Sequence, residues 1–150
     1  MAAGKFTHYN SFAELIGDGT IDFDSHVFKV ALLDSGYTPS LAHDEYADVS
    51  GDEIANGDGY TTGGESLANI TWGQTGGVAS FDSDPVEWLA SGGGITARYA
   101  VMYDDTSSGK KLVGYMLLDT APADVTATAG NTFTITPNGS AGWTQNTVNP

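Results

Sequence analysis

Cysteine is absent from this chain of 150 residues. Disulfides and thiolate zinc sites are thereby excluded, and the core must hold by packing alone. The disulfide-stapled secreted domain is excluded too, although lack of cysteine fixes no compartment. Basic residues are scarce: five Lys and Arg stand against 19 Asp and Glu, for a net charge of −14. At that balance, binding to nucleic acid by phosphate neutralisation is disfavoured, and so is docking to anionic membranes. No apolar run approaches the roughly 18 residues that mark a membrane span. The opening "MAAGKFTHYNSFAELIGDG" lacks the unbroken apolar stretch of a signal peptide, so synthesis in a reducing cytoplasm is expected. Proline is sparse as well, five residues against twenty glycines.

What is present reads as a single all-β domain, mainly antiparallel, of the β-sandwich or jelly-roll type. Short strand-like runs alternate with glycine-rich turns, and one or two short helices are expected near the N-terminus. Residues 1–25 form an N-terminal arm with a short helix over 11–16, where Ser11 precedes Glu14 at capping-box spacing. A second short helix is expected near 42–48. Strands are expected over 26–34, 65–72, 77–82, 85–90, 95–104, 111–119, 131–137 and 142–147. "GQTGG" is read as the hairpin turn after 65–72, and "DTSSGK" joins the best hairpin in the chain. Dispersed acids such as Asp22, Asp34, Asp58 and Asp119 make a solvated acidic surface, which a saline medium or a basic partner would also suit.

No chemistry-bearing motif stands out. His8, His26 and His43 form no H-E-x-x-H pair, and are read as structural or surface residues. Asp18, Asp22 and Asp24 in "DGTIDFD" lack the order and the bidentate Glu of a twelve-residue calcium loop. "NGSAG" around Ser140 misses G-x-S-x-G because Asn138 replaces a glycine. "GYTTGGES" carries no phosphate-binding lysine. No catalytic residue, metal or cofactor is therefore expected. Trp72, Trp88 and Trp143 are read as core, with a sugar-stacking platform as the competing reading. The sequons "NIT" and "NGS" are treated as chance matches.

The chain's only arginine, Arg98, sits inside its most strand-like stretch, "ITARYAVMYDD". Simple alternation puts Ile95, Ala97, Tyr99, Val101 and Tyr103 on the core face, with Arg98 on the other. A guanidinium there needs a carboxylate. An acid on an adjacent strand is the favoured partner, and a neighbouring subunit is the alternative. Lys5, Phe6, Tyr9 and Phe12 place apolar groups near a chain end. That arm either crosses a neighbour or packs on its own sheet.

Several stretches carry a resemblance. "KFTHYNSFAELIGDGTIDFDSHVFKVALLDSGYTPS", "GDGYTTGGESLANITW" and "ITARYAVMYDDT" resemble segments of small structural proteins of tailed bacteriophages, most of all a capsid decoration (cement) protein. The likeness covers most of residues 5–119 and is looser beyond. It implies a virion component on the capsid exterior, with the major capsid protein as partner and self-association as a homotrimer. Lys5, Phe6, Tyr9, Phe12 and Arg98 are then the candidate subunit or capsid contacts. A tail or head–tail adaptor component and a carbohydrate-binding receptor module are the alternatives.

Overall fold

A computed structural model describes residues 3–121, 123–138 and 142–147. Its elements in chain order are β1 (Thr7–His8), α1 (Phe12–Gly17), β2 (Phe28–Leu33), 3-10 turns at Tyr46–Asp48 and Ser50–Asp52, β3 (Glu65–Ser66), β4 (Thr71–Thr75) and β5 (Val78–Asp82). There follow β6 (Val86–Leu89), β7 (Ile95–Ala97), β8 (Tyr99–Asp104), β9 (Leu112–Leu117), β10 (Val125–Ala127), β11 (Thr132–Ile135) and β12 (Thr144–Thr147). The fold is all-β, and every strand pairing among the described residues is antiparallel.

The main sheet runs β1-β9-β8-β2-β3. At its centre "FKVALL" of β2 pairs with β8 over six positions, Phe28↔Asp104 to Leu33↔Tyr99. Only Lys29 in β2 escapes burial, as suits a strand covered on both faces. Phe28, Val30 and Leu32 join Ala100, Met102 and Val113 in the larger core. Phe81, Trp88, Ile95, Phe133 and Ile135 pack there from the smaller sheets β12-β5-β4, β11-β6 and β10-β7. Ala31, Leu33, Val101, Tyr103 and Leu112 form a second core on the opposite face, roofed by Tyr9, Tyr37 and Val49. A register shift at Met102/Tyr103 leaves Val113 without a partner on β8, and adjacent Leu112 and Val113 enter opposite cores by ordinary alternation.

Expectation and structure differ at several places. The 95–104 strand is two strands, broken at Arg98. Ile95 and Ala97 before the break share the larger core with Ala100 and Met102 after it, so the side-chain phase flips there. Arg98 itself bridges the main sheet: its N–H donates to the Leu33 carbonyl at 2.9 Å and its carbonyl accepts from Leu118 N–H at 2.9 Å. Its guanidinium Nε donates to Asp124 Oδ1 at 2.8 Å, the acid directly before β10. The 65–72 strand is also split, because Asn69 takes a left-handed conformation (φ 51°) between β3 and β4. Ser11 has helical backbone angles and makes no capping bond, since an N-cap needs an extended residue to fold its hydroxyl back. In place of a helix over 42–48 there are the two 3-10 turns. The strand β10 has no counterpart among the expected strands.

The "GYTTGG" stretch docks on the free side of β2. The Glu53 carboxylate gathers it, accepting from Tyr60 Oη at 2.5 Å, from Gly63 N–H at 2.7 Å and from Tyr46 Oη. Tyr60 Oη also accepts from Leu32 N–H at 3.1 Å. Burial raises the Tyr46 and Tyr60 hydroxyls above their ordinary pKa, so both remain donors to Glu53. Gly64 then passes so close to β2 that an added Cβ would lie 1.9 Å from the Val30 carbonyl oxygen, at a backbone φ of +73°. Replacement Gly64→Ala is expected to cost about 3 kcal/mol or more, by combined strain and overpacking. Arg98→Ala breaks a partly exposed pair and should cost only ~0–1 kcal/mol. Urea denaturation of both variants checks the contrast, and equal losses would contradict it.

Candidate functional site

The N-terminal segment adds itself to its own sheet. Gly4 N–H donates to the Leu117 carbonyl at 2.7 Å, and β1 pairs with β9 through Thr7↔Tyr115 and His8↔Gly114. Phe6 lies over Gly114, where an added Cβ would stand 2.6 Å from the ring. The chain then turns into α1, whose single buried residue is Phe12. A helix this short stays folded only because it is docked, here on β9.

This path builds a row of rings. His8 stacks on Phe12 with centroids 4.1 Å apart and planes 5° from parallel. Phe6 meets His8 edge-on at 5.6 Å and Trp143 edge-on at 5.9 Å. Phe12 leads to Phe23 at 5.8 Å, which stacks on Phe81 at 4.0 Å and reaches Trp72 at 5.1 Å. Two cavities open along the row. The larger, about 720 Å³, lies between the N-terminal segment and the C-terminal strands, with Lys5, Phe6, His8, Met116 and Trp143 in its wall. The smaller, about 290 Å³, is walled by His8, Tyr9, Phe12, Ile16, Phe23 and Trp72.

Four of the five residues singled out from sequence therefore come together around His8. Lys5 is exposed and Phe6 half-buried in the larger cavity, whereas Tyr9 and Phe12 are buried and show only an edge to the smaller one. Tyr9 Oη is engaged with Tyr37 Oη at 2.9 Å. Arg98 lines neither cavity and is occupied by Asp124. Sequence reading took His8 as structural or surface and Trp143 as core or sugar-stacking, and did not single out Met116; none of the three was placed at this site. The signal for His8 was available, since alternation along "KFTH" places Phe6 and His8 on one face. Pairing with Trp143 spans most of the chain, and no local pattern announces it. Of the three tryptophans, Trp88 and Trp143 are core, but Trp72 is 37% exposed.

His8 Nε2 is buried without a hydrogen-bond partner. Burial lowers its pKa, so the ring is neutral at pH 7. The site thus offers apolar and aromatic area, one exposed cation at Lys5 and one uncharged imidazole. Such a surface can seat an apolar or aromatic group.

A part-buried histidine–aspartate contact lies elsewhere. Asp104 is fully buried, and His26 Nδ1 lies 2.6 Å from its Oδ2. The other Asp104 oxygen accepts the amides of Thr106 and Ser107 at 3.0 and 3.2 Å. This pair ties the β8–β9 turn to the 22–26 loop. Asp18 and Asp22 are likewise spent on local turns, accepting from Thr20 N–H, Asp24 N–H and Ser25 Oγ. Ser140 lies outside the described residues. No family model, no curated protein and no solved structure matches the chain.

The lowered pKa of His8 has a definite sign. Above about pH 6.5 the imidazole is neutral in both folded and unfolded chains. Below it the unfolded chain takes up a proton that the folded one resists, so stability falls as pH drops. The carboxylates held low by hydrogen bonds or by Lys111 (Asp18, Asp22, Asp44, Asp48) act only below about pH 4. His8→Phe keeps the stack and removes the proton site. Denaturation midpoints between about pH 6.5 and 4.5 should flatten in that variant. An unchanged acid limb would assign it to another group.

Proposed function

We propose that this protein is a structural component of a bacteriophage virion, a decoration protein that binds the outer capsid shell and adds contacts between capsomers. The supporting observation is that the three stretches carrying the resemblance meet in one structural unit. "HVFKVALLD" supplies β2, "ITARYAVMYDD" supplies its partner β8, and "GYTTGG" supplies Tyr60, Gly63 and Gly64 against β2. Segments far apart in sequence thus carry the likeness at one place in the fold, as expected if it reflects shared architecture. The surface best suited to the shell is the groove with Lys5 and Phe6 in its wall. Major capsid protein is the partner in this reading, and Arg98 serves the fold through Asp124.

Quantitative mass spectrometry of purified particles tests it. A ratio near one copy per capsid subunit is expected, as is loss of heat resistance in particles lacking the protein. A ratio tens of times lower would move the chain to the tail or the head–tail adaptor and overturn the capsid assignment.

The exposure of Trp72 favours one further reading, a carbohydrate-binding receptor module in which a sugar stacks on that ring. In that case a glycan array shows binding that Trp72→Ala abolishes. Silence on a broad array removes the reading.

A further inference from the structure

The strand β4 is one of the two edges of the sheet β12-β5-β4. All five of its residues, Thr71 to Thr75, are exposed, and among the described residues its ladder runs only to β5. An open edge is a template for another strand, and proteins ordinarily blunt it with lysine, proline or a bulge. "TWGQT" has no charge and no proline, and its register with β5 is regular from Thr71↔Asp82 to Thr75↔Val78.

We propose that β4 is the self-association edge of this protein. Two copies join their β4 strands antiparallel about a two-fold axis at Gly73, so that two three-stranded sheets become one continuous sheet.

The backbone sets the register. Gly76 and Gly77 both have positive φ (59° and 85°), which makes a two-residue type I′ turn. Thr75 and Val78 then form a hydrogen-bonded pair, and alternation makes Gly73–Ser80 and Thr71–Asp82 the next ones. Trp72 and Gln74 are left with N–H and C=O pointing to the open side. A second β4 satisfies them when Trp72 of one copy faces Gln74 of the other, twice over by symmetry. Gly73 then meets its own copy in a non-hydrogen-bonded pair, where Cα atoms approach to about 4.5 Å. The two residues that must meet at this closest point have no side chains to clash. Thr71 faces Thr75 of the other copy on either side. The strand is therefore complementary to itself in hydrogen bonding and in shape, as an isologous contact requires.

Charge selects a second copy as the occupant. Two molecules of net charge −14 repel each other over most of their surfaces. Residues 66–81 and 125–150 carry no charged side chain at all. Register brings these two stretches together, since β12 lies on β5 and β5 on β4. The self-complementary edge thus belongs to a sheet that is almost free of charge, Asp82 at the end of β5 being its single acid.

Sedimentation velocity on the full chain tests the proposal. The expected species has twice the chain mass and dissociates on dilution. Thr71→Glu/Thr75→Glu puts like charges opposite each other across the axis, on residues whose side chains are exposed. A roughly tenfold or larger rise in dissociation constant is expected, with an unchanged circular dichroism spectrum. Gln74→Pro removes an outward amide and should act the same way. Mixing Thr71→Glu/Thr75→Glu with Thr71→Lys/Thr75→Lys should restore a dimer containing one of each. A monomer at every concentration, a mass of three chains, a dimer indifferent to both substitutions, or a mixture that fails to associate would each overturn the two-fold β4 contact. This inference sets a two-fold dimer against the homotrimer that the resemblance implies, and sedimentation separates the two; the capsid reading itself is decided by particle copy number.

Discussion

The backbone of β2 lies between two hydrophobic layers, so its hydrogen-bonding groups must find partners inside the protein. On one side β8 supplies a full ladder. The other side is met piecemeal: Leu67 N–H on the Phe28 carbonyl, β3 beside Lys29 and Val30, the Tyr60 hydroxyl on Leu32 N–H, Ile54 N–H on the Leu32 carbonyl, and the Asp52 carbonyl on Asp34 N–H. A continuous strand there would be simpler, but 34–64 has a second task. It must also roof the core formed by Ala31, Leu33, Val101 and Tyr103. One irregular segment does both, and Glu53 holds it together. Its carboxylate draws two tyrosine hydroxyls and an amide to the point where the loop meets the strand. A carboxylate of this kind accepts several donors at once, which no neutral side chain of similar size does.

The same constraint explains what becomes of Arg98. β7 and β8 serve different sheets, yet both must face the larger core. A straight strand would send every second residue after Ala97 into the wrong core. The chain corrects its phase by interrupting the strand at residue 98, and that position needs a long side chain able to reach outward. Arginine keeps its own amide and carbonyl on β2 and the residue after β9, while its guanidinium secures the start of β10. One residue thus pins three parts of the fold, although its ion pair is half in water and individually weak.

Much of the fold was legible in sequence because its signals are local. Glycine-rich turns, β-branched and aromatic runs, and the hairpin of β8 and β9 follow from composition and spacing. The failures have local causes too. Period-2 reading assumes unbroken strands, so it missed the phase change at Arg98 and the left-handed Asn69. Capping-box spacing at Ser11 and Glu14 was met, but the backbone of Ser11 is helical and the box is not formed. β10 is three residues long, too short for an alternation to register. At the candidate site, alternation gathers Phe6 with His8, and helical spacing buries Phe12. Trp143 and Met116 enter from distant elements, so the groove exists only once the sheet is assembled.

The row of rings from Phe6 to Trp72 gives the molecule a physical continuity that charge alone would not. At its N-terminal end Phe6 shares a groove wall with the exposed Lys5. The other end, Trp72, stands on the uncharged edge strand. Between them His8, Phe12 and Phe23 stack or tilt against one another within 4.1 to 5.8 Å. Interiors this closely packed yield as a unit, because a ring cannot shift without its neighbours losing contact. The smaller cavity lies along this row, walled by His8 at one end and Trp72 at the other. A ligand or chain filling the larger groove would press on Phe6 and His8, while the proposed second β4 would fix the backbone of Trp72. Both events act on the same aromatic wall. Because the rings share contacts, a change at either end of the wall is felt along its length.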